Sequence, residues 1–144
     1  TTCIPHRPAA AIVCTPSHTH VPVAKELLAG GVHVLPERPV SDALETGRSL
    51  LEFAQAPERA VLKLLIGHHC RFNPYVRATK AALEAESLGL PIAKYGLWTL
   101  FEPNSYFAPP TDWRASNERS GGVIPISLSM ISTSCTTSSV LLCE

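Results

Sequence analysis

At 144 residues with 45% hydrophobic content, the chain is long enough for one domain with a real core and lacks the low-apolar, high-charge signature of disorder. Twelve basic residues balance twelve acidic ones, which excludes the strong basic footprint of a nucleic-acid or anionic-membrane binder and leaves a small ligand as the natural partner. Five cysteines without C-x-x-C spacing (Cys3, Cys14, Cys70, Cys135 and Cys143) read as reduced intracellular thiols, no run approaches the roughly 18 apolar residues of a membrane span, and the N-terminus lacks signal-peptide anatomy, so a cytoplasmic protein is expected.

The elements come in alternation. "AAAIVCT" (residues 9 to 15), ended by Pro16, suits a parallel strand buried on both faces. "PVAKELLAGG" predicts a helix with Pro22 at its first position, Val23, Leu27 and Leu28 on one face, and a stop at Gly30-Gly31. "VHVLPE" is a second strand, and "SDALETGRSLLEFAQA" a second helix with Ser41 as N-cap and Leu44, Leu51 and Ala54 at helical spacing. "AVLKLLIG" (60 to 67) is a third strand; "NPYVRATKAALEAESLGLP" opens with Asn73 as cap and Pro74 at N1 and closes near Gly89. The pattern predicts βαβ units on a mostly parallel sheet. "IAKYGLWTLFE" then alternates like a strand with one solvated face, and "PNSYFAPPTDWRASNERSGG" is a loop. A domain boundary is expected near residues 67 to 72.

Ligands of open α/β sheets lie beyond the carboxyl ends of the strands, so "CTPSHTH" (14 to 20), "PERPV" (36 to 40) and "GHHCRFNP" (67 to 74) are the segments for chemistry. Taken singly they are weak. His18 with His20, or His68, His69 and Cys70, lack the convergent geometry a metal needs, and no metal site is expected; Glu37, Arg38 and Pro39 alone also suit a surface ion pair.

In order and at these separations the segments are far more specific. Residues from about 9 to 128 resemble the Gfo/Idh/MocA family of NAD(P)-dependent oxidoreductases, which includes glucose-fructose oxidoreductase and inositol dehydrogenase. Its marks are T-P-x-x-x-H at Thr15, Pro16 and His20, the E-K-P-like triplet Glu37 to Pro39, and the run Gly67 to Pro74, followed by Trp98, Tyr106-Phe107, Trp113-Arg114 and Gly121-Gly122. The resemblance implies residues 1–67 as the second half of a Rossmann nucleotide-binding domain, 68–128 as the start of an α/β substrate domain, and 129–144 as an aberrant tail. Thr15, Pro16 and His20 would line NAD or NADP, Glu37, Arg38 and Pro39 would sit near the nicotinamide, and Arg71 would close on the cofactor from the domain junction. Trp113 and Arg114 would face the substrate cleft. The activity implied is hydride transfer to or from a sugar, polyol or related small hydroxy compound, in a family whose full-length members often form homo-oligomers.

Departures temper that reading. No G-x-G-x-x-G occurs, and the chain opens on Thr with its one methionine at Met130, so an upstream start is expected. Arg38 stands in the catalytic place where the family has Lys, and a guanidinium keeps the charge but cannot relay a proton. Nine of the thirteen residues from Ser127 to Ser139 are Ser or Thr, where the family carries its proton-transfer His. One nucleotide restored before the codon of Ser129 permits I-H-D-I-D-I-L, so the tail is expected to be an out-of-frame reading. The expectation is an inactive polypeptide with an unpaired sheet edge; the alternative is a non-catalytic remnant or interaction module with the same partial fold.

Overall fold

The computed structural model describes residues 8–87, 89, 92, 93, 99 and 101–120. The expected tail 129–144, the Gly121-Gly122 pair, Trp98 and most of the strand 92 to 102 lie outside the described residues. Two compact units form: the described residues through Gly67 together with those from Pro103 on, and those from His68 to Glu102.

The first unit is built on two parallel strands, β1 (Ala10–Val13) and β2 (His33–Pro36), in the register Ala10 to His33 through Val13 to Pro36. The expected third strand is reduced. Residues 57 to 61 turn, and only the stretch after them runs beside β2, through a parallel bridge at Val34 and Leu64, Val34 N–H to Lys63 O at 2.9 Å, and Leu65 N–H to Val34 O at 3.0 Å. The Lys63 amide also donates to His33 Nδ1 at 3.0 Å.

Helix α1 (Ser17–Ala29) begins five residues earlier than Pro22, which lies inside it. The early start follows from the buried face, since Ser17, His20, Val21, Ala24, Leu27 and Leu28 form one stripe that is covered only if helix geometry begins before the proline. That burial outweighs the single hydrogen bond a proline removes. The helix ends as the glycine pair predicts: Gly31 takes φ +79°, Val32 N–H bonds Leu27 O and Gly31 N–H bonds Leu28 O, both at 3.0 Å, which satisfies two carbonyls that the helix leaves open.

Helix α2 (Leu44–Gln55) starts after Ser41, whose hydroxyl donates to Ala43 O instead of capping an amide. Its buried face is also rotated from the expected one. Leu44 and Leu51 are exposed, whereas Leu50 is 1% exposed and Phe53 and Ala54 pack beside it. A Lys25 Nζ to Ser49 Oγ bond of 3.1 Å ties α1 to α2.

The core joins Val13, Val34 and flanking Ala11 and Leu64 to the buried stripes of α1 and α2, so both helices cover the same face of the sheet. By strand alternation, Ile12, Leu35 and Leu65 point the other way. Ile12 is 70% and Leu65 60% exposed. The expectation of burial on both faces of the first strand is therefore corrected.

The segment after Pro103, expected to be a loop, makes two 3₁₀ turns (Asn104–Phe107, Asp112–Ala115) and the short helix α4 (Asn117–Ser120), which packs on α1. His18 Nδ1 lies 3.0 Å from Arg119 O, Ser120 is fully buried and bonds Ser116 O, and Arg119 pairs with Asp112 at 2.8 Å. In the second unit, Asn73 caps α3 (Pro74–Glu84) by accepting from Tyr75 N–H at 2.9 Å. That helix stops at Glu84, short of Gly89.

Candidate functional site

Because the strands are parallel, their carboxyl ends open on one side of the sheet. Cys14 and Thr15 follow β1, Glu37, Arg38 and Pro39 follow β2, and Gly67 ends the third extended stretch. Glu37 N–H bonds Val13 O and Gly67 N–H bonds Pro36 O, both at 2.9 Å, which carries the sheet's hydrogen bonding up to the rim.

A cavity of about 210 Å³ sits there. Thr15, Glu37, Arg38 and Pro39 line it from the segments after the strands, His20 from α1, and Tyr106, Trp113 and Arg114 from the segment after Pro103. Cys14 and Ser17 complete the wall. The structure thus brings together seven of the residues singled out in the sequence. Pro16 is adjacent, as the residue before α1, with its carbonyl accepting from Thr19 Oγ1 at 2.7 Å. Arg71 belongs to the second unit, exposed in the 3₁₀ turn His69–Phe72. Among the described residues no three His, Cys, Asp or Glu side chains converge as a metal site.

His20 is 1% exposed, with Nε2 at 2.7 Å from Thr15 O and Nδ1 at 2.8 Å from Pro39 O. The Glu37 carboxylate lies against Gly67: a Cβ there would meet Oε2 at 2.9 Å and Oε1 at 3.1 Å. Oε2 also accepts from Arg38 N–H at 3.2 Å. The Arg114 guanidinium stacks 4.2 Å from the Tyr106 ring centre and 5.1 Å from that of Trp113, contacts that favour a cation over an aromatic face. Tyr106 meets Phe107 edge to face at 5.1 Å. Asp112, bound to Arg119, has its carboxyl held below the ordinary value chiefly by that hydrogen bond.

Cys14, Ser17 and Tyr106 were not assigned to the site from sequence. Cys14 stood in the strand-end segment 14 to 20 and Tyr106 in the Tyr-Phe pair, so position marked them where residue type did not.

The sequence profile described as "Oxidoreductase family, NAD-binding Rossmann fold" matches residues 3–63. Inositol 2-dehydrogenase of Rhizobium meliloti (strain 1021) is 27% identical over 114 residues, 79% of this chain and 31% of that protein. Residues 3–63 are thus similar to the NAD-binding Rossmann region of the Gfo/Idh/MocA oxidoreductases. The crystal structure of an oxidoreductase from Thermotoga maritima superposes with a TM-score of 0.72 at 23% identity, over 90% of this chain and 39% of that one. An inositol dehydrogenase homolog from Azotobacter vinelandii, complexed with NAD+, gives 0.70 at 19% identity over 90% and 34%. These likenesses show the fold, a partial Rossmann-like α/β arrangement. The chain spans about a third of the length of the curated relative it matches. Thr15, Pro16, His20, Glu37, Arg38 and Pro39 fall inside the profile match, and Arg71, Trp113 and Arg114 lie beyond it.

Proposed function

We propose that this chain furnishes the nicotinamide end of an NAD(P) site in an oxidoreductase that transfers hydride to or from a sugar, polyol or related hydroxy compound. The observation that carries the reading is the convergence of Thr15, Glu37, Arg38, Trp113 and Arg114 on one cavity at the carboxyl ends of parallel strands. Its size agrees with part of a dinucleotide. At about 210 Å³ it is smaller than the roughly 300–1,000 Å³ of sites for whole drug-sized ligands, and an aromatic amide with part of its ribose is the fitting occupant.

When bound, the nicotinamide supplies the hydride acceptor or donor. Thr15 and Glu37 offer hydroxyl and carboxylate partners to ribose and amide groups at the strand ends. Arg38 orients and adds positive charge but holds no exchangeable role as a base, because a guanidinium stays protonated. Trp113 and Arg114 form the wall against which the hydroxy compound lies, with Tyr106 behind the guanidinium.

The 144 residues contain no G-x-G-x-x-G phosphate turn, and a missing positioned general base lowers rates by about 10² to 10⁴. The purified polypeptide is expected to show no NAD- or NADP-dependent oxidation of inositols or sugars. Binding is tested separately. Cys14 lines the cavity and Cys70 lies in the second unit, so iodoacetamide labelling read peptide by peptide reports site occupancy against an internal control. NADH or NADPH at millimolar concentration should slow Cys14 labelling and leave Cys70 unchanged. Equal labelling at Cys14 with and without either nucleotide would refute the assignment.

A further inference from the structure

His20 is buried to 1% exposure, yet neither ring nitrogen faces the cavity's contents. Nε2 is 2.7 Å from the Thr15 carbonyl oxygen, at the end of β1, and Nδ1 is 2.8 Å from the Pro39 carbonyl oxygen, in the loop after β2. Carbonyl oxygens only accept. A contact at that distance is a hydrogen bond only if the nitrogen carries the hydrogen, and a neutral imidazole has one hydrogen for two such contacts. The alternative is a ring lone pair set against a carbonyl lone pair inside the protein, where an unmade bond is costly. Swapping the ring over would place carbon where nitrogen now sits and lose both bonds.

We propose that His20 is a positioning residue that carries hydrogen on both ring nitrogens and clamps the Thr15 and Pro39 loops together. The clamp sets the spacing between the two loops that frame the cavity and leaves no ring nitrogen for a ligand. The assignment rests on these contacts and not on the identity of whatever the cavity binds. The charged groups sharing the cavity with the ring are Glu37, Arg38 and Arg114, with the Cys14 thiol beside them. Glu37 is the anion among them, on the same loop that His20 holds.

The test uses the full chain labelled with ¹⁵N-histidine, at neutral pH and without cofactor, the His20 signals being assigned by their loss in His20→Gln. Both ring nitrogens should resonate as protonated, with slowly exchanging N–H groups. One unprotonated ring nitrogen would overturn the proposal. Variants give a second, independent readout in the rate of Cys14 alkylation. His20→Phe fills similar space but donates nothing, and His20→Gln is smaller but keeps one N–H donor group. A clamp made of hydrogen bonds predicts about tenfold faster labelling in His20→Phe and a smaller rise in His20→Gln. The reverse ranking would mean that the ring acts by packing alone. If His20→Phe fails to fold, the spectrum of the unaltered chain still decides.

Discussion

Gly67→Ala is the sharpest single perturbation of the site, because the structure separates its effect on the fold from its effect on Glu37. Gly67 is not among the glycines with positive φ, so alanine suits the backbone there. The new Cβ would lie 2.9 Å from Glu37 Oε2, about half an ångström short of the 3.4 Å at which ordinary contact begins. What stands in the way is the end of a flexible side chain. Glu37 can rotate aside, and in doing so gives up the 3.2 Å bond from Arg38 N–H. A hydrogen bond of that kind contributes about 1 kcal/mol, and the loss of glycine's unfolded-state freedom returns roughly 0.4–1 kcal/mol. The two nearly cancel.

Melting of Gly67→Ala should therefore stay within about 4 °C of the parent, while NADH protection of Cys14 falls to the level seen in Glu37→Ala. Thermal denaturation followed by circular dichroism gives the first quantity and peptide-resolved alkylation the second. In the Glu37→Ala background the three atoms nearest the added methyl group are gone, so the double variant should match Glu37→Ala alone. Full cofactor protection in Gly67→Ala, or effects that simply add in the double variant, would refute the coupling of position 67 to Glu37.

Gly31→Ala should do the opposite, costing about 1–2 kcal/mol through its φ of +79° while leaving Cys14 protection intact, since nothing lies within 4 Å of the added Cβ. Leu28→Ala, at 1% exposure beneath both strands, should cost about 2–5 kcal/mol in denaturant unfolding. Asp112 is held below its ordinary value by Arg119, so the tie it gives the 112–120 segment is present above the unfolded carboxyl's titration and lost as pH falls through the lowered folded value; Arg119→Gln should abolish that acid-range dependence in an NMR titration of Asp112. Replacing Ile12 and Leu65 together by Thr should reduce self-association in light scattering with stability changed by less than about 1 kcal/mol, because both side chains already face solvent.

Much of this fold was legible in the sequence because punctuation and periodicity are local. Asn73-Pro74 starts α3 and Gly30-Gly31 stops α1 where their chemistry requires. What local patterns missed was set by tertiary contact. The register of α1 extends through Pro22 because Ser17 and His20 have a sheet and a loop to pack against. On α2, adjacent Leu50 and Leu51 are equal candidates by type, and only the position of α1 decides that Leu50 turns inward. The stretch from Pro103 has no strong period at all, and its turns are fixed by side chains such as Thr111, whose hydroxyl bonds Tyr106 O and Ala108 O.

The site required one further step that residue types do not encode. The pairings of Ile12 with Leu35 and of Val34 with Leu64 set the rows across the sheet, and two residues beyond Ile12, Leu35 and Leu65 stand Cys14, Glu37 and Gly67. The rim is thus the polar continuation of the uncovered apolar row. A slip of one residue between β1 and β2 would reverse which face each side chain takes, moving Ile12 toward the helices and Val13 out of the core. The buried face formed by Ala11, Val13 and Val34 fixes the register against that slip. Core packing of side chains that touch no ligand is therefore what brings Glu37 onto Gly67, and a variant that loosens the core should degrade the rim before it unfolds the sheet.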